Sequence, residues 1–329
     1  MPEPLSVSII IPTKNRPVDL CRVCRSVWQQ TVCARQLIIV DQSPEHESKE
    51  AVARQYADEP RVVRETLKLD YVRDTTISGL AVARNRAMEI AFGDIWLFLD
   101  DDVILEPDFL QQLLGAYASH PEAVGISGVV TNYTRPPRLS RLWNTIFLRG
   151  PFFDDRQPVY WQADRLRNSG PVRVSRLGGG LMSFRSEAIR GKKFDEKLRG
   201  VSDGEDADFC AHLGSQALLL MAPQARLVHN QSPAGREQGH WLARHARGLT
   251  YLYHRNWRHG VKNRLCFMWL NVGYALTATL AGLRRASLEP WRSLLAGLHE
   301  GAHAAGPARP AVPYPTPAAP RLKSAKRPS

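Results

Sequence analysis

A chain of 329 residues with 43% hydrophobic and 23% charged side chains is large enough for one big domain or two modest ones, which excludes wholesale disorder. A mean hydropathy of -0.31 excludes a bundle of several membrane-spanning helices. The formal charge of +12 is unevenly spread: residues 1–240 carry 30 basic and 30 acidic side chains, whereas residues 241–329 carry 14 and 2.

In chain order, Val7-Ser8-Ile9-Ile10-Ile11 reads as a β-branched strand closed by Pro12, and Pro17 opens a helix to about Gln29. Leu37–Val40 is a second strand ending at Asp41, followed by a polar helix from about Glu47 to Tyr56. Arg61-Val62-Val63 reads as a short third strand. A helix from about Ile77 to Ala91 leads through Gly93 to the strand Ile95–Leu99, which stops at Asp100-Asp101-Asp102. Pro107 opens the next helix, and Ala123-Val124-Gly125-Ile126 the next strand. Periodicity fades over residues 131–176, a stretch with nine arginines and only Asp154, Asp155 and Asp164 as acids. A strand resumes at Leu177–Phe184, then come the acidic cluster Asp203–Asp208 and a helix towards Leu213. Leu218–Met221 and Arg226–Val228 read as two short strands, the second ending at His229. Helices follow from about Gln238 to Trp257 and again from about Lys262, and the Ala/Pro/basic composition beyond Gly301 predicts a disordered tail.

Five scattered cysteines do not make a disulfide framework, and Cys21-x-x-Cys24 sits in an amphipathic helix with no second pair to complete a zinc site, so these are structural thiols. The start, Met-Pro-Glu-Pro-Leu, has no basic n-region and its apolar run ends at Pro12, which predicts a cytoplasmic chain without a secretory signal.

Continuous apolar strands separated by helices predict an α/β fold with a mostly parallel sheet covered by helices on both faces. In such sheets ligands bind at the carboxyl ends of the strands. Thr13-Lys14-Asn15-Arg16, Asp41-Gln42-Ser43 and Asp100-Asp101-Asp102 then converge on one cleft. Four carboxylates there repel one another unless a cation sits among them, and oxygen ligands select Mg²⁺ or Mn²⁺. An isolated Asp triplet is otherwise a solvated acidic turn. Glu205-Asp206 opens a helix, where a carboxylate serves either as an acidic cap or as a base that takes a hydroxyl proton. His229 is a core histidine or a further metal ligand. Arg84-Asn85 faces either solvent or a diphosphate. Gly178-Gly179-Gly180 lacks the lysine of a P-loop, so it reads as close backbone approach to a substrate or as a plain turn.

Taken together, Ser6–Arg16, Ile38–Ser43, Gly79–Asn85 with Gly93–Asp102, and Gly178–Arg185 with Phe194-Asp195-Glu196 and Gly204–Asp208 resemble the ordered motifs of the family 2 glycosyltransferases with the GT-A (Rossmann-like) fold, over roughly residues 5–260. The resemblance implies an inverting, metal-dependent transfer from a nucleotide-diphosphate sugar to a hydroxyl of a glycan or lipid-linked acceptor in cell-surface polysaccharide or glycolipid synthesis. It implies a nucleotide-sugar site of Thr13, Asn15, Arg16, Asp41, Arg84, Asp100 and Asp101, with Asp41 at the base and Asp100 at the ribose. Asp102 and His229 are then the metal ligands, Asp206 the catalytic base, and Gly179, Gly180 and Glu205 the acceptor side. Two departures stand out. Gln42-Ser43 follows Asp41 where many members have Gly-Ser, and the Gln-x-x-Arg-Trp motif of processive synthases is replaced by His240-Trp241-Leu242-Ala243-Arg244, which argues for addition of a single residue. The expected organisation is a catalytic domain over 1–236 (nucleotide-sugar half 1–130, acceptor half 131–236), a helical extension over 237–301 and the tail 302–329.

In the extension, Trp241, His245, Leu249, Tyr253 and Trp257 recur every four residues and read as one apolar stripe. Leu265 to Leu283 is an apolar run bracketed by Lys262, Arg264, Arg284 and Arg285. At ~1.5 Å per residue it could just cross a hydrocarbon layer of ~30 Å, lie on an anionic membrane surface, or pack on the protein. The charge at this end favours peripheral contact with the inner face of a membrane. Two other readings compete. A sugar-1-phosphate nucleotidyltransferase calls for a glycine-rich phosphate loop, and Thr13–Pro17 has no glycine. A polyanion- or nucleic-acid-binding protein calls for a basic module, and residues 1–240 are neutral with no such signature, so no nucleic-acid partner is expected.

Overall fold

The computed structural model describes residues 4–198, 204–231 and 241–309. Asp203, the expected helix start at Gln238 and the first residue of His240–Arg244 lie outside them. The first half alternates β1 (Val7–Thr13), α1 (Pro17–Trp28), β2 (Gln36–Asp41), α2 (Glu47–Ala57), α3 (Arg61–Thr66), β3 (Lys68–Arg73), α4 (Leu80–Met88) and β4 (Ile95–Leu99). Then come β5 (Val103–Leu105), α5 (Phe109–Ser119), β6 (Ala123–Val130), α6 (Arg138–Phe147), α7 (Gln157–Trp161), β7 (Val172–Val174), β8 (Leu181–Arg185), α8 (Ser186–Ile189), α9 (Glu205–Leu213) and β9 (Leu218–His229). The C-terminal part is α10 (Trp241–Leu252), a π-helical turn Tyr253–Trp257, α11 (Val261–Arg285) and α12 (Glu289–Ala305).

One sheet runs β3-β2-β1-β4-β8-β6-β9-β5, with β7 also on β9. The strands β3, β2, β1 and β4 are parallel, whereas β8 is antiparallel to β4 and β6. Alternate residues serve the two faces. Ile9, Ile11, Leu37, Ile39, Leu97 and Leu99 pack under α1 and α5, while Ile10, Ile38, Val40, Trp96 and Phe98 pack under α4 and α9. Both faces are covered, so the strands read as unbroken apolar runs.

Four expectations need correction. Arg61-Val62-Val63 is helical: Pro60 sets the start, Val63 is buried and Val62 faces solvent. The third strand is Lys68–Arg73, an edge strand of alternating polarity that a search for apolar runs overlooks. The two short strands before His229 are one strand, with a register break against β6 between Met221 and Arg226 that accommodates Pro223. The four-residue stripe is not one face: Trp241 and His245 are exposed, Leu249 is half-buried and Tyr253 and Trp257 are buried, because a step of four residues overshoots the helical turn and the stripe winds round the helix. Finally, residues 302–309 belong to the fold. Helix α12 continues to Ala305, and Arg309 pairs with Asp208.

Phe152, Ala207, Leu242, Ala246, Trp257, Leu270, Tyr274 and Leu294 form a separate core joining the C-terminal helices to α9. All five cysteines are unpaired, and burial pushes the Cys24 thiol far above its ordinary range.

Candidate active site

The strands β1, β2 and β4 are in parallel register, so Thr13 lies beside Asp41 and the Asp triplet follows Leu99 at the same edge. Antiparallel pairing then adds the other half. The short strand β5 pairs Val103 with His229, and Asn230 N–H donates to Asp102 O at 2.8 Å. That register sets His229 Nε2 2.9 Å from Asp102 Oδ1, while Asn132 brackets the His229 backbone with bonds of 2.9 Å on both sides. One ligand atom each from Asp100, Asp102 and His229 lies within 4.8 Å of the others. Two carboxylates and an imidazole at this spacing fit a divalent cation with room for oxygen ligands.

The remaining residues expected to hold the nucleotide form an internal lattice. Asp101 accepts from Thr13 Oγ1 at 2.7 Å and from Arg16 Nη1 at 2.9 Å. Burial still pushes its carboxyl up to about 6 against those two partners. Asp41 is fully buried, accepting from Tyr71 OH at 2.6 Å and from the Ser43 backbone at 2.8 Å. Asn15, at φ 55°, donates its N–H to Ser43 Oγ at 2.7 Å, and Gln42 accepts from Gly79 N–H at 2.8 Å. Gln42 thereby ties the Asp41 loop to the start of α4, a role open to it but not to glycine.

Arg84 differs from the sequence reading. It is 1% exposed rather than open to a diphosphate. Its guanidinium donates to Glu205 Oε1 at 3.0 Å and Gly179 O at 2.8 Å and lies 3.5 Å from Asp100 Oδ1. The side chain therefore links Asp100 to Glu205 and the Gly179 backbone. Its neighbour Asn85 exchanges hydrogen bonds with the Phe194 backbone at 2.8 and 3.0 Å.

The glycine triplet is the seam between these groups. A Cβ on Gly180 would lie 2.6 Å from Asp100 Oδ2, and one on Gly179 would lie 3.0 Å from Glu205 Oε1. Gly179 N–H donates to Asp206 Oδ2 at 2.9 Å. Glu205 and Asp206 thus point differently. Glu205 is buried with Oε2 unpartnered, and burial beside the Asp206 charge pushes its carboxyl up to about 7 despite Arg84. Asp206 keeps about a fifth of its side chain exposed and meets Arg156 Nη1 at 3.5 Å. Asp154 fixes that arginine through bonds of 2.8 and 3.0 Å. Arg156, Asp154, Tyr71 and Asn132 escaped the sequence reading; within an arginine-rich stretch nothing marks Arg156 from its neighbours.

A mixed sheet with acidic groups at its carboxyl edge is shared with solved α/β glycosyltransferases. A mannosyltransferase from Pyrobaculum calidifontis, solved with GDP-Man and Mn²⁺, superimposes with a TM-score of 0.55 at 17% identity, over 91% of this chain and 88% of that one. S. aureus TarS 1-349 in complex with UDP superimposes with a TM-score of 0.56 at 17% identity, over 92% and 81%. The family model for glycosyl transferase family 2 matches residues 8–182, and the chain belongs to that family and is a glycosyl-transferring enzyme. It is 26% identical over 303 residues to the succinoglycan biosynthesis protein ExoM of Rhizobium meliloti, covering 91% of this chain and 83% of that protein. It is 30% identical over 139 residues to the amylovoran biosynthesis glycosyltransferase AmsE of Erwinia amylovora, covering 42% of this chain and 50% of that protein.

Proposed function

We propose that the enzyme moves one sugar, with inversion, from a nucleotide-diphosphate sugar to a hydroxyl of a glycan or lipid-linked acceptor in polysaccharide biosynthesis, at the cytoplasmic face of a membrane. The observation carrying this reading is the cluster of Asp100, Asp102 and His229 on one side of the Gly178–Gly180 turn, with Asp206 hydrogen-bonded to that turn from the other. The named relatives in succinoglycan and amylovoran biosynthesis support the polysaccharide assignment.

In this reading Asp102 and His229 would hold Mg²⁺ or Mn²⁺, whose charge, when bound, would stabilise a departing diphosphate. Asp100 orients the ribose, and Thr13, Asn15, Arg16, Asp41 and Asp101 shape the nucleotide pocket through the lattice described above. Asp206 takes the acceptor hydroxyl proton as its oxygen forms a bond to the anomeric carbon and the carbon–diphosphate oxygen bond breaks on the opposite face. Gly179 N–H and Arg156 hold the Asp206 carboxylate in place. Glu205, enclosed and shared with Arg84, positions the turn.

A thermal-shift panel of UDP-, GDP-, dTDP- and CMP-sugars, with and without Mn²⁺, identifies the donor: the right one raises the melting temperature only with metal present. With that donor, Asp206→Asn retains binding and loses transfer; undiminished turnover removes the mechanism. Release of pyrophosphate from NTP and sugar-1-phosphate would instead establish a nucleotidyltransferase.

A further inference from the structure

Helix α11 is long and apolar enough to cross a membrane by length and composition, yet its Leu270, Gly273, Tyr274 and Ala278 are buried against the protein. A Cβ on Gly273 would lie 2.5 Å from the Phe147 ring, so α6 packs directly on the α11 backbone. Trp143 Nε1 donates to Gly273 O at 3.4 Å, and Trp269 Nε1 donates to Ile146 O at 2.8 Å. Spanning a bilayer would tear α11 out of these contacts. Its outer side is a different surface. Leu265, Met268, Val272 and Leu276 are exposed at spacings of three and four residues, and Leu139 and Leu142 of α6 add to them.

Neither helix contains an acidic residue, and Arg138, Lys262, Arg264, Arg284 and Arg285 are exposed at the helix ends. A row of exposed large apolar side chains along two packed helices marks an interaction surface, and basic helix ends without acids match anionic headgroups. We propose that α6 and α11 together form a monotopic docking face for an anionic lipid bilayer, with α11 lying in the interface plane. The face is physically tied to the acceptor side. Nine residues beyond Phe147 at the end of α6 comes Arg156, which pairs with Asp206. Docking through α6 brings the Arg156 end of the acceptor half towards the lipid surface. This purpose rests on the function proposed above; the docking itself does not.

The test uses full-length protein and flotation with two vesicle types, phosphatidylcholine alone and phosphatidylcholine with about one third phosphatidylglycerol. The wild type and Val62→Asp, an exposed substitution on α3, float with the anionic vesicles and bind neutral ones at least about tenfold less, and high salt weakens the binding. Leu142→Asp and Leu276→Asp each lose anionic-vesicle binding by at least about tenfold, with melting temperature and Mn²⁺ binding unchanged. The proposal is overturned if the wild type ignores anionic vesicles, or if both variants float as well as it does. It is also overturned if the membrane-bound protein resists alkaline carbonate as a spanning helix does, or if the wild type is a dimer that Leu276→Asp dissociates. Failed docking with sugar transfer intact sinks only this proposal; docking without metal-dependent donor binding sinks only the enzymatic one.

Discussion

Arg309, at the far end of the described chain, places its Nη1 2.8 Å from Oδ1 of Asp208, two residues beyond Asp206 on α9. Asp208 is fully buried, and Asn256 donates to the same oxygen at 2.8 Å. The C-terminal helices are thus bolted to the helix that carries the proposed base. Removing one partner of a buried ion pair leaves an uncompensated charge, which typically costs about 3–5 kcal/mol. Arg309→Ala should destabilise the protein by an amount of that order in urea unfolding. Adding Asp208→Asn should recover much of the loss, because the remaining group is then neutral.

Metal binding should depend on both halves of the sheet. Asp102→Ala and His229→Ala are each expected to weaken Mn²⁺ binding by at least about tenfold in calorimetry, the carboxylate more than the imidazole. Asp41→Asn, buried and held by Tyr71 and Ser43, should leave Mn²⁺ affinity unchanged.

The glycine seam makes a sharp steric prediction. In Gly180→Ala the new methyl meets Asp100 Oδ2 at 2.6 Å, so that carboxylate must move. A misplacement of about 1 Å in a group that positions the substrate can cost about a hundredfold in rate, so kcat should fall on that scale with the fold intact. Gly170→Ala, with nothing within 4 Å, is the neutral control.

Two buried carboxyls give stability a pH dependence of definite sign. Glu205 is pushed up to about 7 and Asp101 up to about 6, chiefly by burial. Between about pH 4 and 7 the unfolded chain has released protons that the folded chain retains, so these groups make stability fall as pH rises and level off above about 7. Glu205→Gln removes the upper part of that fall. Melting temperatures from pH 4.5 to 8 should therefore decline less in the variant, and an equal decline in both would contradict the assignment.

Much of this was legible in the sequence, because strand runs, the Asp triplet and the helix starts are local signals. Residues at the carboxyl ends of parallel strands share an edge by topology, which is how Thr13, Asp41 and Asp100–Asp102 could be grouped without coordinates. His229 follows from the family resemblance, while the residues by themselves leave it open between a core histidine and a ligand; the β5–β9 register supplies the physical reason. Val103-Ile104-Leu105 is too short to announce itself, and only its antiparallel pairing turns a histidine 127 positions away into a neighbour of Asp102. Arg84 was identified but misdirected, since a helical arginine looks the same in sequence whether it faces a ligand or an internal glutamate.

Charge shows the same division. Counting residues located the +12 in the last quarter and left the first 240 residues neutral. Counting could not say that α6, from the neutral part, lies against α11 and widens its apolar side, nor that Arg309 turns inward to a buried aspartate. Sequence specifies composition, period and local caps, which act over a few residues. Which distant groups share a low-dielectric interior, and so which charges face water, a membrane or one another, is decided by tertiary packing.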